Sequence, residues 1–226
     1  MTTTLPLFPL GTVLLPGASL PLHVFEPRYR QLTVDLVTGA VPERTFGVVA
    51  IKQGWEVGAG NVAALAAIGC TAVLQEARPL PDGRYDLTTR GGRRFRLLDV
   101  TDDGAPYPLG SVEWLPDTAA PPEVEAVLPL LAESARAAHG RYRQAAYRST
   151  GGRPPGPDVA VADLAYALAG DCLLTMEDRQ RLLEETSPAR RLRLVRQVLH
   201  REAGFLDALG AVPTPLSELG HLPHRN

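Results

Sequence analysis

The chain has 226 residues, a formal net charge of −2, 45% hydrophobic and 21% charged residues. That length can bury a core as one large domain or two small ones, and near-neutrality gives no global attraction to nucleic acid or membrane. No apolar run approaches the ~20 residues of a membrane span. Two cysteines, Cys70 and Cys172, make neither a disulfide framework nor a zinc cluster and are expected as buried thiols. The start MTTTLPLFPL lacks the basic n-region of a secretory signal. Cytoplasmic localisation is therefore expected. Of 23 basic residues 22 are arginine, Lys52 being the single lysine, a bias that suits GC-rich coding.

Residues 5–32 read LPLFPLGTVLLPGASLPLHVFEPRYRQL and hold five prolines. Proline lacks a donor and fixes φ, so Pro6 and Pro9 are expected to break this run into short extended pieces. Val13-Leu14-Leu15-Pro16-Gly17 reads as a short buried strand entering a turn. Leu20, Leu22 and Val24 alternate as in a strand with one buried face. Pro27 suits the first turn of a helix through Tyr29, Leu32, Leu36 and Val37. Strands follow at Phe46–Ile51 and Ile68–Leu74. Pro81-Asp82-Gly83 is a hairpin turn joining Ala72–Ala77 to Tyr85–Thr89. Arg94–Val100 and Gly110–Leu115 complete six or seven short strands, the content of a closed or nearly closed barrel.

Asp117-Thr118-Ala119-Ala120-Pro121-Pro122 marks a junction, and the pattern beyond it is helical. Val124, Val127, Leu128 and Leu131 share a face of a helix running toward Tyr147, with Pro129 a candidate kink. Gly151-Gly152-Arg153-Pro154-Pro155-Gly156-Pro157 is a loop. Asp158 is expected to cap a helix that carries Val161, Leu164, Ala165 and Leu168 and stops at Gly170. Thr175 with Asp178 resembles a capping box. Ser187-Pro188 opens a last helix with Leu192, Val195, Leu199, Leu206 and Leu209 at core spacing. The expected division is 1–117, 118–212 and a loose tail, 213–226.

The opening segment, ending in Phe25-Glu26-Pro27-Arg28-Tyr29-Arg30, resembles the start of the Lon protease N-terminal, substrate-binding domain family. Phe46-Gly47-Val48-Val49-Ala50-Ile51, the glycine-led Ile68-Gly69-Cys70-Thr71-Ala72-Val73-Leu74, and Asp82-Gly83-Arg84-Tyr85 with Gly91-Gly92-Arg93-Arg94-Phe95-Arg96 continue the likeness in order. The resemblance implies an α+β fold, a PUA-like β-barrel followed by an α-helical bundle. It also implies a non-enzymatic module for unfolded or apolar polypeptide, working as an adaptor or regulator in protein quality control, with a protease among its partners. A stand-alone bacterial member is expected, without the ATPase or peptidase. Lys52 has no glycine pattern before it and Gln53 after it, so it makes no phosphate-binding loop. The same single lysine lacks the setting of a serine–lysine peptidase. No catalytic residue, cofactor or metal is expected.

Candidate peptide-lining residues are Leu15, Pro16, Leu20, Phe25 and Tyr29, side chains that could equally be core. His23 reads as a satisfied structural histidine, and Asp102-Asp103-Gly104 as a turn. His221 and His224 could face one metal from a helix, but Pro223 and the terminal position favour a tail. Ser19 lacks the glycines of a nucleophile elbow. Arg28 and Arg30 form one basic group; Arg90, Arg93, Arg94 and Arg96 form a second, with Arg94 and Arg96 facing solvent opposite Phe95. The third, Arg136, Arg141, Arg143, Arg148 and Arg153 beside Tyr142 and Tyr147, is a candidate anion or nucleic-acid contact. Pairing within the chain, with Asp102–Glu125 as a counterweight, is the plainer reading. The alternative function is thus a PUA-like RNA-binding protein using Arg136–Arg153.

Overall fold

The computed structural model describes residues 2–52, 64–146 and 154–209. They fall into two compact units, one up to Pro116 and one from Asp117 onward.

The first unit contains β1 (Thr2–Leu10), β2 (Ser19–Val24), α1 (Pro27–Thr38), a 3₁₀ turn (Pro42–Arg44), β3 (Thr45–Ala50), β4 (Ile68–Pro79), β5 (Tyr85–Thr101) and β6 (Leu109–Trp114). The strands order as β2-β5-β4-β3-β1-β6, and β6 also pairs with β5. The pairings therefore run from β5 through β4, β3, β1 and β6 back to β5, with β2 added outside. One pair, β1–β3, is parallel. The α+β class holds, but the barrel is a mixed sheet rather than a regular one. Its closure depends on β5, whose 17 residues serve β2 and β4 with one half and β4 and β6 with the other.

Pro6 and Pro9 do not break β1, as the sequence suggested. Thr2–Pro6 pairs with β6 and Leu7–Leu10 with β3. Each half thus carries a ladder on one side, the edge-like setting in which a missing donor is tolerated. Val13-Leu14-Leu15 is not a strand. It is buried, irregular chain, held where Gly17 N donates to Gly91 O at 2.9 Å and Gly91 N to Ala18 O at 2.8 Å. A Cβ on Gly91 would run into the Leu15 carbonyl oxygen, so this corner can press on β5 only because position 91 has no side chain. The expected Arg94–Val100 strand is the second half of an unbroken β5. Inside the sheet Leu5, Leu7, Val49, Leu65, Phe95, Leu97, Val100 and Val112 form one cluster.

The second unit contains α2 (Pro122–Glu125), α3 (Leu128–Ala146), α4 (Val161–Gly170), α5 (Met176–Glu184) and α6 (Pro188–Leu209). Pro129 does not kink a long helix. The chain breaks into α2 and α3 just before it, and Pro129 sits in the first turn of α3, where its N–H would have no partner anyway. Val124, Leu128 and Leu131 are half-buried and Val127 is exposed. The buried face of α3 is instead Ala132, Ala135, Ala138, His139, Tyr142 and Ala146. Alanine there lets α3 lie close to the Leu192, Val195, Val198 and Leu199 stripe of α6. Asp158 is not the cap of α4: Ala160 occupies that place, with no side-chain hydrogen bond. Thr175 does cap α5, its Oγ1 accepting from Asp178 N at 3.1 Å. Among the described residues no helix is long and apolar enough to cross a membrane. Tyr147, the glycine pair 151–152 and the tail with His221 and His224 lie outside the described residues.

Candidate functional site

The β2–α1 corner collects most of the sequence candidates. Alternation along β2 buries Leu20, Leu22 and Val24, and Glu26 then leads into α1, whose buried residues are Tyr29, Leu32, Thr33 and Leu36. The Tyr29 ring stacks on Phe8 with centroids 3.9 Å apart and planes 12° from parallel. Burial, opposed by nearby Arg28, pushes the Tyr29 phenol up to about 12. Leu15, Leu20 and Tyr29 are therefore core side chains, at 0%, 5% and 2% exposure. Of the five expected lining residues, Pro16 is half-buried and Phe25, at 38%, is exposed. Val34 and Val37, one turn apart on α1, are exposed at 37% and 53%. At its edge Arg28 is held by Glu26 (Nε to Oε2, 2.9 Å) and lies 4.7 Å from the Tyr29 ring centroid.

His23 is satisfied on both sides: Nδ1 lies 2.8 Å from Asp86 Oδ1 and Nε2 3.1 Å from an Arg84 Nη1 that donates to it. Lys52 is exposed just beyond the Ile51–Leu65 bridge. Burial pushes the Cys70 thiol up to about 12 and the Cys172 thiol higher still, which keeps both protonated and poor as nucleophiles. Among the described residues, no group of three or more His, Cys, Asp or Glu is placed to hold a metal.

The second arginine group departs from expectation. Arg94 does not face solvent; it is 6% exposed, next to a fully buried Phe95. The β4–β5 register shifts between Cys70↔Arg94 and Ala72↔Gly91, and this bulge breaks the in-out alternation on which the expectation rested. Arg93 instead stacks over Trp114, its guanidinium carbon 3.9 Å from the ring centroid. In the third group the described arginines are engaged within the helical unit. Arg136 donates to the carbonyls of Pro155 (3.0 Å) and Gly156 (2.9 Å). Arg141 donates to His200 Nε2 at 2.9 Å, and Arg143 to Asp171 Oδ2 at 3.3 Å. The carboxylate facing Arg143 is that of Asp171. Arg148 and Arg153 lie outside the described residues.

One charged residue at the centre of the second unit escaped the sequence reading. Arg191 has 0% exposure, and its guanidinium grips both Asp117 carboxylate oxygens and two backbone carbonyls. Nothing in the sequence separates it from its neighbours Arg190 and Arg193. An open depression nearby is lined by the charged Arg181, Glu184, Glu185 and Arg190 together with Thr186 and Leu194.

Residues 4–201 match the family model described as the ATP-dependent protease La (LON) substrate-binding domain. The chain is 27% identical over 217 residues to the Lon protease of Anaeromyxobacter dehalogenans, covering 89% of this chain and 24% of that protein. Lon protease 2 of Myxococcus xanthus matches at the same identity and coverage. The chain thus spans about a quarter of the length of the curated relatives it matches. Among solved structures it is similar to the crystal structure of a Lon N-terminal domain protein from Xanthomonas campestris, at TM-score 0.56 and 27% identity, over 93% of this chain and 99% of that one. The N-terminal domain of the Mycobacterium avium complex Lon protease shares the fold, at TM-score 0.60 and 17% identity, over 87% and 98% of the two chains.

Proposed function

Because the chain belongs to the substrate-binding domain family of ATP-dependent protease La (LON), we propose that it is a non-enzymatic recognition module that captures exposed apolar segments of polypeptide and presents them to, or withholds them from, a protease. The observation that carries this reading is the family match itself, which extends through both units. The chemistry of the described residues supports it: the thiols are buried and protonated, His23 is engaged on both sides, and the arginines Arg136, Arg141 and Arg143 are already hydrogen-bonded within the chain.

On this reading the contact surface is the β2–α1 corner. Phe25, between β2 and α1, supplies the apolar contact, with the exposed Val34 and Val37 of α1 as further apolar side chains; Pro16 lies at the opposite end of β2, beside Gly91. An aromatic side chain already partly in water gains most by being covered. The test is an anisotropy titration of a labelled, unfolded apolar peptide against the full chain and the Phe25→Ala variant. Saturable binding that weakens about tenfold in the variant, equivalent to about 1.4 kcal/mol, is expected, with little dependence on salt. Absence of binding to unfolded or apolar peptides would reject the function. Binding that Phe25→Ala leaves unchanged would reject the surface. Binding of single-stranded RNA that falls steeply with salt would move the reading to the alternative class.

A further inference from the structure

His139 is a buried imidazole without a well-made partner. The residue is 2% exposed on the inner face of α3. Its Nε2 lies 2.9 Å from Asp171 Oδ2 at the end of α4, but out of line for a hydrogen bond, so this nitrogen has no partner of good geometry. The same carboxylate oxygen accepts from Arg143 Nη1 at 3.3 Å. Charges act on the ring from both helices: Asp171 from α4, and Arg143 and Arg136 one turn either side of it on α3. Across the α3–α6 contact, α6 brings Arg196, 3.3 Å from Ser134 Oγ, and His200, on Arg141. The Asp171 carboxylate is therefore set against the cations Arg143 and Arg136 at a ring removed from water.

We propose that the α3–α4 contact is an acid-sensitive joint, in which a proton taken up by His139 releases the end of α4 from α3. A protonated imidazole left in place would be a desolvated cation beside the cations Arg143 and Arg136. Opening lets the charged ring reach water and frees Asp171 to pair with Arg143 alone. The direction agrees: burial, the largest influence, outweighs the opposing pull of Asp171 and, with smaller help from Arg143 and Arg136, holds His139 below its ordinary range near 6.5. A group with a lowered folded pKa is neutral and stabilising above the unfolded value. That stability is lost as pH falls below about 6.5, because the opened state then binds the extra proton. The opening equilibrium should rise by up to about tenfold per pH unit below that point.

Cys172 is a reporter built into the joint. It follows Asp171 directly, has 0% exposure, and its backbone N donates to Ala169 O at 3.3 Å at the end of α4. Cys70, in the first unit and equally buried, is the internal reference. The experiment labels the full chain with a dithiodipyridine, which reacts with thiols in acid, between pH 7.5 and 5, and maps both cysteines by mass. Cys172 labelling should accelerate by about tenfold per unit below pH 6.5 relative to Cys70. His139→Gln should flatten that slope. Asp171→Asn, which removes a carboxylate that favours the protonated ring and leaves the histidine in place, should carry that slope to lower pH than in the wild type. Equal acceleration of both cysteines, or a Cys172 profile unchanged in both variants, would overturn the proposal. One variant flattens the slope and the other displaces it, so loss of folding in one leaves the other decisive.

Discussion

Replacing Arg191 by methionine tests how the helical unit is held together. The guanidinium donates through Nη1 to Asp117 Oδ1 (2.9 Å) and Glu185 O (2.8 Å), and through Nη2 to Asp117 Oδ2 (2.8 Å) and Ala162 O (2.7 Å). It also lies 4.3 Å from the Tyr166 ring centroid. One side chain thus joins the start of the unit, the first turn of α4, the α5–α6 connection and α6. Methionine keeps much of the volume and removes every donor. Two part-buried carbonyls, of Glu185 and Ala162, then lose this donor at about 1–2 kcal/mol each. The Asp117 side chain, 33% exposed, can recover water and adds about 1 kcal/mol or less. The expected loss is about 4 kcal/mol, within the ~3–5 found when one member of a buried ion pair is removed.

The assay follows from where the chromophores lie. Both tryptophans, Trp55 and Trp114, precede Asp117, whereas five of the six described α-helices follow it. Ellipticity at 222 nm therefore reports mainly the helical unit, and tryptophan emission the sheet unit. With a urea slope of about 2 kcal/mol per M, the 222 nm midpoint of Arg191→Met should fall by about 2 M. A fall below about 0.5 M would refute the reasoning, because it would mean that the four hydrogen bonds hold nothing that water cannot replace.

Glycine substitutions should separate close approach from conformational freedom. Gly91→Ala drives a methyl group into the Leu15 carbonyl and parts two backbone hydrogen bonds; the tryptophan-detected urea midpoint should drop by the equivalent of about 3 kcal/mol. Gly140→Ala, in α3 with nothing within 4 Å of the new methyl, should raise the 222 nm midpoint by about 0.5–1 kcal/mol equivalent. Thr175→Ala removes the oxygen that accepts from Asp178 N and the hydroxyl that donates to Asp178 Oδ2 at 2.8 Å. Thermal unfolding followed at 222 nm should show a loss of about 1 kcal/mol.

Local chemistry was legible in the sequence wherever a single residue type forces a backbone conformation. Pro27 at the head of α1, the Asp82-Gly83 turn with Gly83 at φ 78°, the Thr175 cap and the Ser187-Pro188 start all follow from donors, rings and allowed φ values within a few residues. The alternation of Leu20, Leu22 and Val24 identified a buried face before any partner strand was known. Family membership was legible too, because it rests on the order of such local blocks. Exposure was not legible: of the five peptide candidates Phe25 and Pro16 reach the surface, while Leu15, Leu20 and Tyr29, of the same apolar character, do not.

Only tertiary structure decided the remainder, since those features depend on what lies opposite rather than what lies adjacent. Two prolines survive in β1 because its ladder changes partner between Pro6 and Leu7, a fact about strands β3 and β6. Arg94 is buried because a bulge against β4 turned it inward. Arg191 lies in the core and Arg190 at the surface because Asp117, 74 positions earlier in the chain, presents its carboxylate to one and not the other. Hydrophobic period and turn chemistry are local and can be read along the chain. The pairing of buried charges is set by distance in space, and a linear sequence does not contain that distance until the chain has folded.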